Sequence, residues 1–147
     1  MINIKLDGVV KRVSIQVEKK QDFLYKNLMS KALLVIDHGS KVEAANLMLE
    51  EVVELLRGQK PGLIVQGCHM ELAGPDIEAG IKSCVDAGAT EIVAHPFMLS
   101  PGRHSTSDIP RMVEEAAKAH PHISVSVTSC LGVHPKIGEV ILERAGL

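Results

Sequence analysis

The sequence is poor in aromatic residues and has no long hydrophobic run. Phe, Tyr and Trp make up 2% of its 147 residues, and Trp is absent. Proteins that bind single-stranded nucleic acid stack bases on aromatic side chains, so this composition argues against that class. The formal net charge of −2 gives no electrostatic reason to expect nucleic acid or an anionic membrane as partner. A membrane span is not predicted, because no run of about 18 apolar residues occurs.

Cysteine is scarce and odd in number. Cys68, Cys84 and Cys130 show no C-x-x-C spacing, so we expect reduced, packed thiols rather than a disulfide framework or a zinc knuckle. Lys5 and Asp7 interrupt the stretch where a signal peptide needs an unbroken apolar core, which favours a cytoplasmic location. The remaining composition, 46% hydrophobic and 23% charged, is typical of one globular domain with a substantial core.

The pattern changes near residue 31. Before it, apolar and polar residues alternate on both sides of Asp7-Gly8, which indicates a β-hairpin, and the polar, basic stretch from Lys19 to Ser30 is typical of a linker. We therefore predict an N-terminal extension over residues 1–30 and a main domain over residues 31–147.

Four short apolar runs in the main domain each precede a stretch with helical periodicity. The runs cover residues 32–36, 63–65, 91–94 and 123–127. Four βα units in series predict an α/β fold, with a four-stranded parallel, doubly wound sheet and helices on both faces. The small doubly wound solution has the strand order 2-1-3-4.

The helix boundaries carry their own signals. Ser40 and Glu43 form a capping box, which predicts that the first helix begins there. The apolar stripe expected to face the core is Val42, Ala45, Leu49, Val52 and Leu56. Ser105 or Ser107 can cap the third helix, and Pro135 opens a last short one.

Two histidine-bearing turns follow the first and third strands. In an open sheet of order 2-1-3-4, the winding reverses between these strands, and the ligand crevice lies beyond their carboxyl ends. His38 stands beside Gly39, and Gly102 lies two residues before His104. Imidazole binds divalent metals and exchanges protons near neutral pH. The sequence therefore predicts a metal-binding or proton-transfer site, although a single loop histidine is more often a surface or capping residue.

Other residues near the same edge allow two interpretations each. Glu71, after the second strand, can complete the site or be a solvated loop acid. Lys41 and Arg103 can attract an anionic ligand or simply be solvated. An apolar wall or part of the core can be formed by Met70, Phe97, Met98 and Leu99. We expect His95 to be a hydrogen-bonded, partly buried residue, and leave His134 open.

Four strings carry a family resemblance. VIDHGS, HMELAGP, PFMLSPGRHSTSDIP and LGVHP occur in this order over residues 35–135. In order and spacing they resemble the small class II chelatases, the single-domain cobaltochelatases and ferrochelatases that insert metal into sirohydrochlorin. The resemblance covers about residues 31–145, and the third string is its most specific part.

The resemblance implies a chelatase-like fold, a homodimer, and a place in cobalamin or sirohaem biosynthesis. It implies that His38 and His104 handle the metal and that Glu71 joins them in catalysis. Residues expected to bind substrate are Ser40, Lys41, Met98, Leu99, Gly102 and Arg103. The implied partners are sirohydrochlorin, an anionic tetrapyrrole, and a divalent metal as substrate, Co²⁺ before Fe²⁺, with no tightly bound cofactor.

Two other functions fit parts of the pattern. A carrier of metal or tetrapyrrole needs the same ligands without turnover. A histidine phosphatase also places His-Gly after a first strand, but it expects an arginine directly before the histidine, where this sequence has Asp37. The second alternative is therefore disfavoured.

Overall fold

The computed structural model of the protein describes residues 30–147. The predicted hairpin and nearly all of the linker after it lie outside the described residues. The strands are β1 (Lys31–Asp37), β2 (Ile64–His69), β3 (Glu91–Pro96) and β4 (Ser124–Val127). The helices are α1 (Glu43–Gln59), α2 (Ile77–Asp86), α3 (Ile109–Ala117) and α4 (Pro135–Ala145). A π-helical turn over His104–Asp108 leads directly into α3.

The four strands form one parallel sheet with the order β2-β1-β3-β4, which confirms the predicted fold and order. β1 is hydrogen-bonded on both sides and covered on both faces, which explains its unbroken apolar run. At the carboxyl edge, Asp37 pairs with His69 of β2, and Ile36 pairs with Pro96 of β3. The three strands therefore end side by side.

The core has two layers, one on each face of the sheet. The larger layer packs Leu34 and Ile36 of β1 against α2 and α3, where Ile81 and Ile109 are fully buried. The smaller layer is formed by Val35, Leu49, Val53 and Val65, between the sheet and α1. No helix among the described residues is long and apolar enough to cross a membrane.

Two of the three cysteines lie in the larger core layer, as expected for packed thiols. Cys68 and Cys84 are buried, and Cys130 is partly exposed. Burial raises the pKa of the Cys84 thiol to about 12 and raises that of Cys68 as well. Both thiols are therefore protonated near neutral pH, and neither is a nucleophile there.

The predicted helix caps were wrong. α1 begins at Glu43, and no side chain caps its first turn. Ser40 is instead held outside the helix by two hydrogen bonds with the Asn46 side chain, and its Oγ accepts the Val42 N–H. The third helix is extended backwards by the π-helical turn, inside which the Ser105 hydroxyl bonds to Gly102.

The predicted stripe of α1 was correct for Leu49 and Leu56, which pack in the smaller core layer, but not for the rest. Leu49 is buried, but Val42 is 63% exposed and Ala45 is also exposed. The first turns of α1 run along the crevice beyond the carboxyl edge, where Ala45 and Val52 line a cavity next to His38. Proximity to that cavity explains the apolar character of Ala45 and Val52, whereas Val42 does not line it.

Two helical glycines give a matched test of the packing of α2. A Cβ at Gly80 would lie 2.9 Å from Cβ of Cys68 and from Cδ1 of Leu34, whereas one at Gly58 in α1 would meet nothing within 4 Å. Alanine is favoured over glycine inside helices by about 0.8–1 kcal/mol. We expect Gly58→Ala to raise the free energy of unfolding by about 0.5–1 kcal/mol. Overpacking should make Gly80→Ala lower it by about 1–3 kcal/mol.

Urea unfolding of both variants measures this difference. Equal gains in stability for the two substitutions would contradict the close approach of α2 to β1 and β2.

Candidate active site

The loops that follow β1, β2 and β3 bring three titratable side chains together. His38 comes directly after β1, Glu71 follows β2, and His104 begins the π-helical turn after β3. The rings of His38 and His104 meet edge to face, with centroids 5.2 Å apart and planes at 66°. Glu71 Oε1 lies 2.8 Å from Nε2 of His38. The structure thus brings together the three residues that the sequence singled out as catalytic.

The His104 ring is oriented by a carboxylate of its own turn. Its Nδ1 lies 3.0 Å from Oδ2 of Asp108, four residues later. A carboxylate only accepts hydrogen bonds, so Nδ1 carries a hydrogen, and in the neutral ring the lone pair is then on Nε2. The His104 side chain is about half exposed, so this nitrogen is accessible to a metal ion or a proton.

The His38 ring faces an oxygen atom at each nitrogen. Its Nδ1 lies 3.1 Å from the carbonyl oxygen of Gly39, and its Nε2 faces Glu71. A carbonyl oxygen accepts only, so the first contact requires a hydrogen on Nδ1. The second contact is a hydrogen bond only when a further proton lies between Nε2 and the carboxylate. The His38–Glu71 pair is therefore a place that can hold one proton, and a metal ion at Nε2 must displace it.

The residues predicted to bind substrate do not all line one cavity. Ser40 and Met98 line a cavity of about 390 Å³ next to His38. Leu99 lines a second cavity of about 630 Å³ with mostly apolar walls, together with Val133 and Ile141. Gly102 and Arg103 directly precede His104 and line neither of these cavities.

The two predicted cations point to solvent. Arg103 is 87% exposed in its side chain and reaches Asp108 only at 3.8 Å. Lys41 is exposed at the start of the segment that leads into α1. Both positions leave the charge available to an anionic ligand, and neither fixes one in place.

Sequence reasoning missed part of the apolar wall next to His38. Met48 and Val52 of α1 line the same cavity, and Met48 is 64% exposed. Phe97 after β3, which the sequence offered as wall or core, lines it as well. The periodicity assigned Val52 to the core. The available signal was position, because Met48 and Val52 lie on a helix that begins just behind His38.

The remaining histidines have structural partners. Nδ1 of His95 lies 2.7 Å from Oγ1 of Thr128, and burial lowers the pKa of His95, as expected for a partly buried, hydrogen-bonded residue. His134 caps α4 by accepting the N–H of Lys136. Across residues 30–147, no three His, Cys, Asp or Glu side chains are arranged to hold a metal ion.

Comparisons with known proteins give consistent matches. The CbiX family model matches residues 32–146. The chain is 41% identical over 112 residues to the chloroplastic sirohydrochlorin ferrochelatase of Arabidopsis thaliana, covering 76% of this chain and 50% of that protein. It is 31% identical to the sirohydrochlorin cobaltochelatase of Priestia megaterium, covering 78% and 37%. The chain therefore spans half or less of the length of these relatives.

A solved structure of a sirohydrochlorin chelatase is also similar to this chain. The sirohydrochlorin chelatase SirB from Bacillus subtilis subspecies spizizenii, in complex with cobalt, matches with a TM-score of 0.74 and 29% identity. The match covers 80% of this chain and 50% of that one.

Gly39 provides a test of how closely the His38 and Glu71 loops approach. Its φ is +81°, and a Cβ there would lie 2.0 Å from the carbonyl oxygen of Glu71. Gly62 has a φ of +87° with nothing within 4 Å, so alanine there meets only the cost of a left-handed backbone, about 1–2 kcal/mol. We expect Gly39→Ala to lower the free energy of unfolding by about 2 kcal/mol more than Gly62→Ala does. Equal losses in urea unfolding would show that the two loops do not touch.

Proposed function

Since the chain belongs to the CbiX family, we propose that it catalyses the insertion of a divalent metal ion, Co²⁺ before Fe²⁺, into sirohydrochlorin. The observation that carries this proposal is the contact of two imidazoles, with ring centroids 5.2 Å apart, and of a carboxylate with one of them. The names of the relatives support the substrate, and cobalt in the related structure supports the metal. The product is a metallated tetrapyrrole of cobalamin or sirohaem biosynthesis.

The reaction needs a metal donor and a proton acceptor within reach of each other. Insertion forms four metal–nitrogen bonds and releases two protons from the pyrrole nitrogens. In the proposed mechanism, Nε2 of His104 and Nε2 of His38 hold the ion from one side, and the tetrapyrrole approaches it from the other side. Imidazole suits this task because first-row divalent ions bind it and exchange from it without a full ligand cage.

His38 and Glu71 take up the protons. As the metal passes into the ring, Nε2 of His38 is freed and accepts a pyrrole proton, which the carboxylate of Glu71 at 2.8 Å shares and passes to solvent. Glu71 is about half exposed, so its outer oxygen has access to water. The second proton follows the same route, and His38 returns to its starting state.

The apolar walls next to the histidines suit a flat macrocycle. The cavity next to His38 offers Met48, Val52, Phe97 and Met98 as contact surface. Sirohydrochlorin carries carboxylates around its rim, and the exposed Arg103 is the nearest predicted cation to His104 in sequence. We therefore place the ring against this wall, with its carboxylates towards solvent.

Removal of either imidazole should abolish most of the activity. We expect His38→Ala and His104→Ala each to lower kcat/KM for Co²⁺ insertion by about 100-fold or more. Each substitution removes a metal ligand, and His38→Ala also removes the proton acceptor. His122→Ala is the matched control, because this exposed residue precedes β4 at the opposite edge of the sheet. The measurement is the absorbance change of sirohydrochlorin under anaerobic conditions, with protein well below the tetrapyrrole concentration.

Two outcomes would contradict the proposal. Full activity of the His38→Ala/His104→Ala double variant would remove the histidines from the reaction. Conversion that stops at one equivalent of tetrapyrrole per chain would identify a carrier instead of an enzyme.

We also propose that two copies of the chain form a homodimer. α4 exposes consecutive apolar residues, among which Ile141 is 61% exposed, and the loop before it leaves Val133 fully exposed. Val133 and Ile141 line the cavity of about 630 Å³ that Leu99 also lines. A continuous apolar surface of this kind marks an interface more often than a free surface.

A charge placed on this surface should separate the subunits. We expect the wild-type protein to sediment at the mass of two chains and Ile141→Asp to sediment at the mass of one. Leu55→Asp is the control, since Leu55 is 59% exposed on α1, away from α4 in sequence. A wild-type protein that stays monomeric at high micromolar concentration would contradict the dimer.

A further inference from the structure

A buried histidine lies directly behind the active-site loops, and the mechanism above makes no use of it. Among the described residues, His69 and Ser105 are the polar side chains that are buried, and His69 is 4% exposed. Its Nδ1 lies 2.5 Å from Oδ1 of Asp37. Burying an imidazole costs free energy unless it is hydrogen-bonded, and the Asp37 carboxylate supplies that hydrogen bond.

The position of the pair links the two loops that carry His38 and Glu71. Asp37 and His69 are the last residues of β1 and β2 and lie directly opposite each other in the sheet. Neighbours at the same register point to the same face, which brings the two side chains into contact. From this contact, the chain continues one residue to His38 and two residues to Glu71.

The Asp37 carboxylate also holds the far side of His38. The oxygen that contacts His69 accepts the N–H of Gly39 at 2.9 Å. One carboxylate oxygen therefore fixes the backbone on both sides of His38. Without the His69 donor, nothing else in the described contacts of Asp37 holds that oxygen towards β2.

Backbone hydrogen bonds continue the sheet beyond the strand ends. The Met70 N–H donates to the Asp37 carbonyl at 2.8 Å, and the Glu71 N–H donates to the His38 carbonyl at 3.1 Å. These bonds align the two loops along the strand direction. We infer that the His69–Asp37 contact sets the distance between the His38 loop and Glu71. We propose that His69 is a positioning residue, which acts through Asp37 to hold Nε2 of His38 within hydrogen-bond distance of Glu71.

Its predicted effect on turnover rests on the proposed chelatase function, whereas its effect on the His38 ring does not. The two are therefore measured separately. Co²⁺ insertion into sirohydrochlorin gives kcat and KM. Long-range ¹H–¹⁵N NMR of the metal-free protein gives the protonation pattern of the His38 ring.

Three substitutions of His69 separate the donor from the bulk of the ring. His69→Phe keeps the ring and removes the donor. His69→Asn places an N–H where Nδ1 stood, and His69→Gln places the same amide one carbon further out. Urea unfolding of each variant reports its stability.

We expect His69→Phe to lower kcat by about 10–100-fold, as removal of a supporting partner does at metal sites, with KM for sirohydrochlorin changed less than about twofold. The His38 nitrogen signals should shift in the same variant. His69→Asn should restore both readouts to near wild-type values, and His69→Gln should not. If His69→Phe does not fold, the comparison of Asn with Gln decides the question.

The inference is overturned if folded His69→Phe keeps wild-type kcat and wild-type His38 signals. It is also overturned if Asn and Gln lower kcat equally. A wild-type protein without insertion activity would refute the proposed function, and the His38 signals alone would then decide whether His69 positions that ring.

Discussion

The position of β1 between β2 and β3 is the constraint on which the site depends. Parallel strands that are hydrogen-bonded neighbours lie about 4.8 Å apart, so the loops after three adjacent strands leave the sheet within reach of one another. His38, Glu71 and His104 occupy those loops. In any order that separated β1 from β3, the two imidazoles could not reach a ring separation of 5.2 Å without long excursions of the chain.

The two histidines have different hydrogen-bond partners, and the proposed mechanism gives them different roles. His104 donates from Nδ1 to Asp108 inside a π-helical turn, a local geometry found often at functional sites. In the mechanism that we propose, this leaves Nε2 as a fixed ligand atom. His38 directs Nε2 at Glu71, so in the same mechanism this atom alternates between a proton and a metal ion. We propose that one ring anchors the metal and that the other couples its departure to proton uptake.

The sequence predicted the features that depend on local pattern. The apolar run of β1 indicated a strand covered on both faces, and the histidine turns after the first and third strands indicated the crevice. The motifs around His38 and His104 predicted the family, which the family model confirms. The phase of α1 was partly wrong, because a helix that borders a crevice is apolar on a side that periodicity assigns to the core.

Contacts between distant strands could not be read from local pattern. The contact of His69 with Asp37 joins residues 32 positions apart and depends on the register of β1 and β2. The 2.8 Å approach of Glu71 to His38 depends on a loop in which Leu72 has a φ of +65°, a conformation that its side chain does not predict.

In the mechanism that we propose, both imidazoles bind the same metal ion. Anomalous diffraction at the cobalt edge, from crystals of the protein with bound Co²⁺, locates this ion. We expect one cobalt ion at about 2.1 Å from Nε2 of both His38 and His104, with the His38–Glu71 contact broken. Cobalt bound to one ring only, with the other turned away, or bound elsewhere on the chain, would rule out this mechanism.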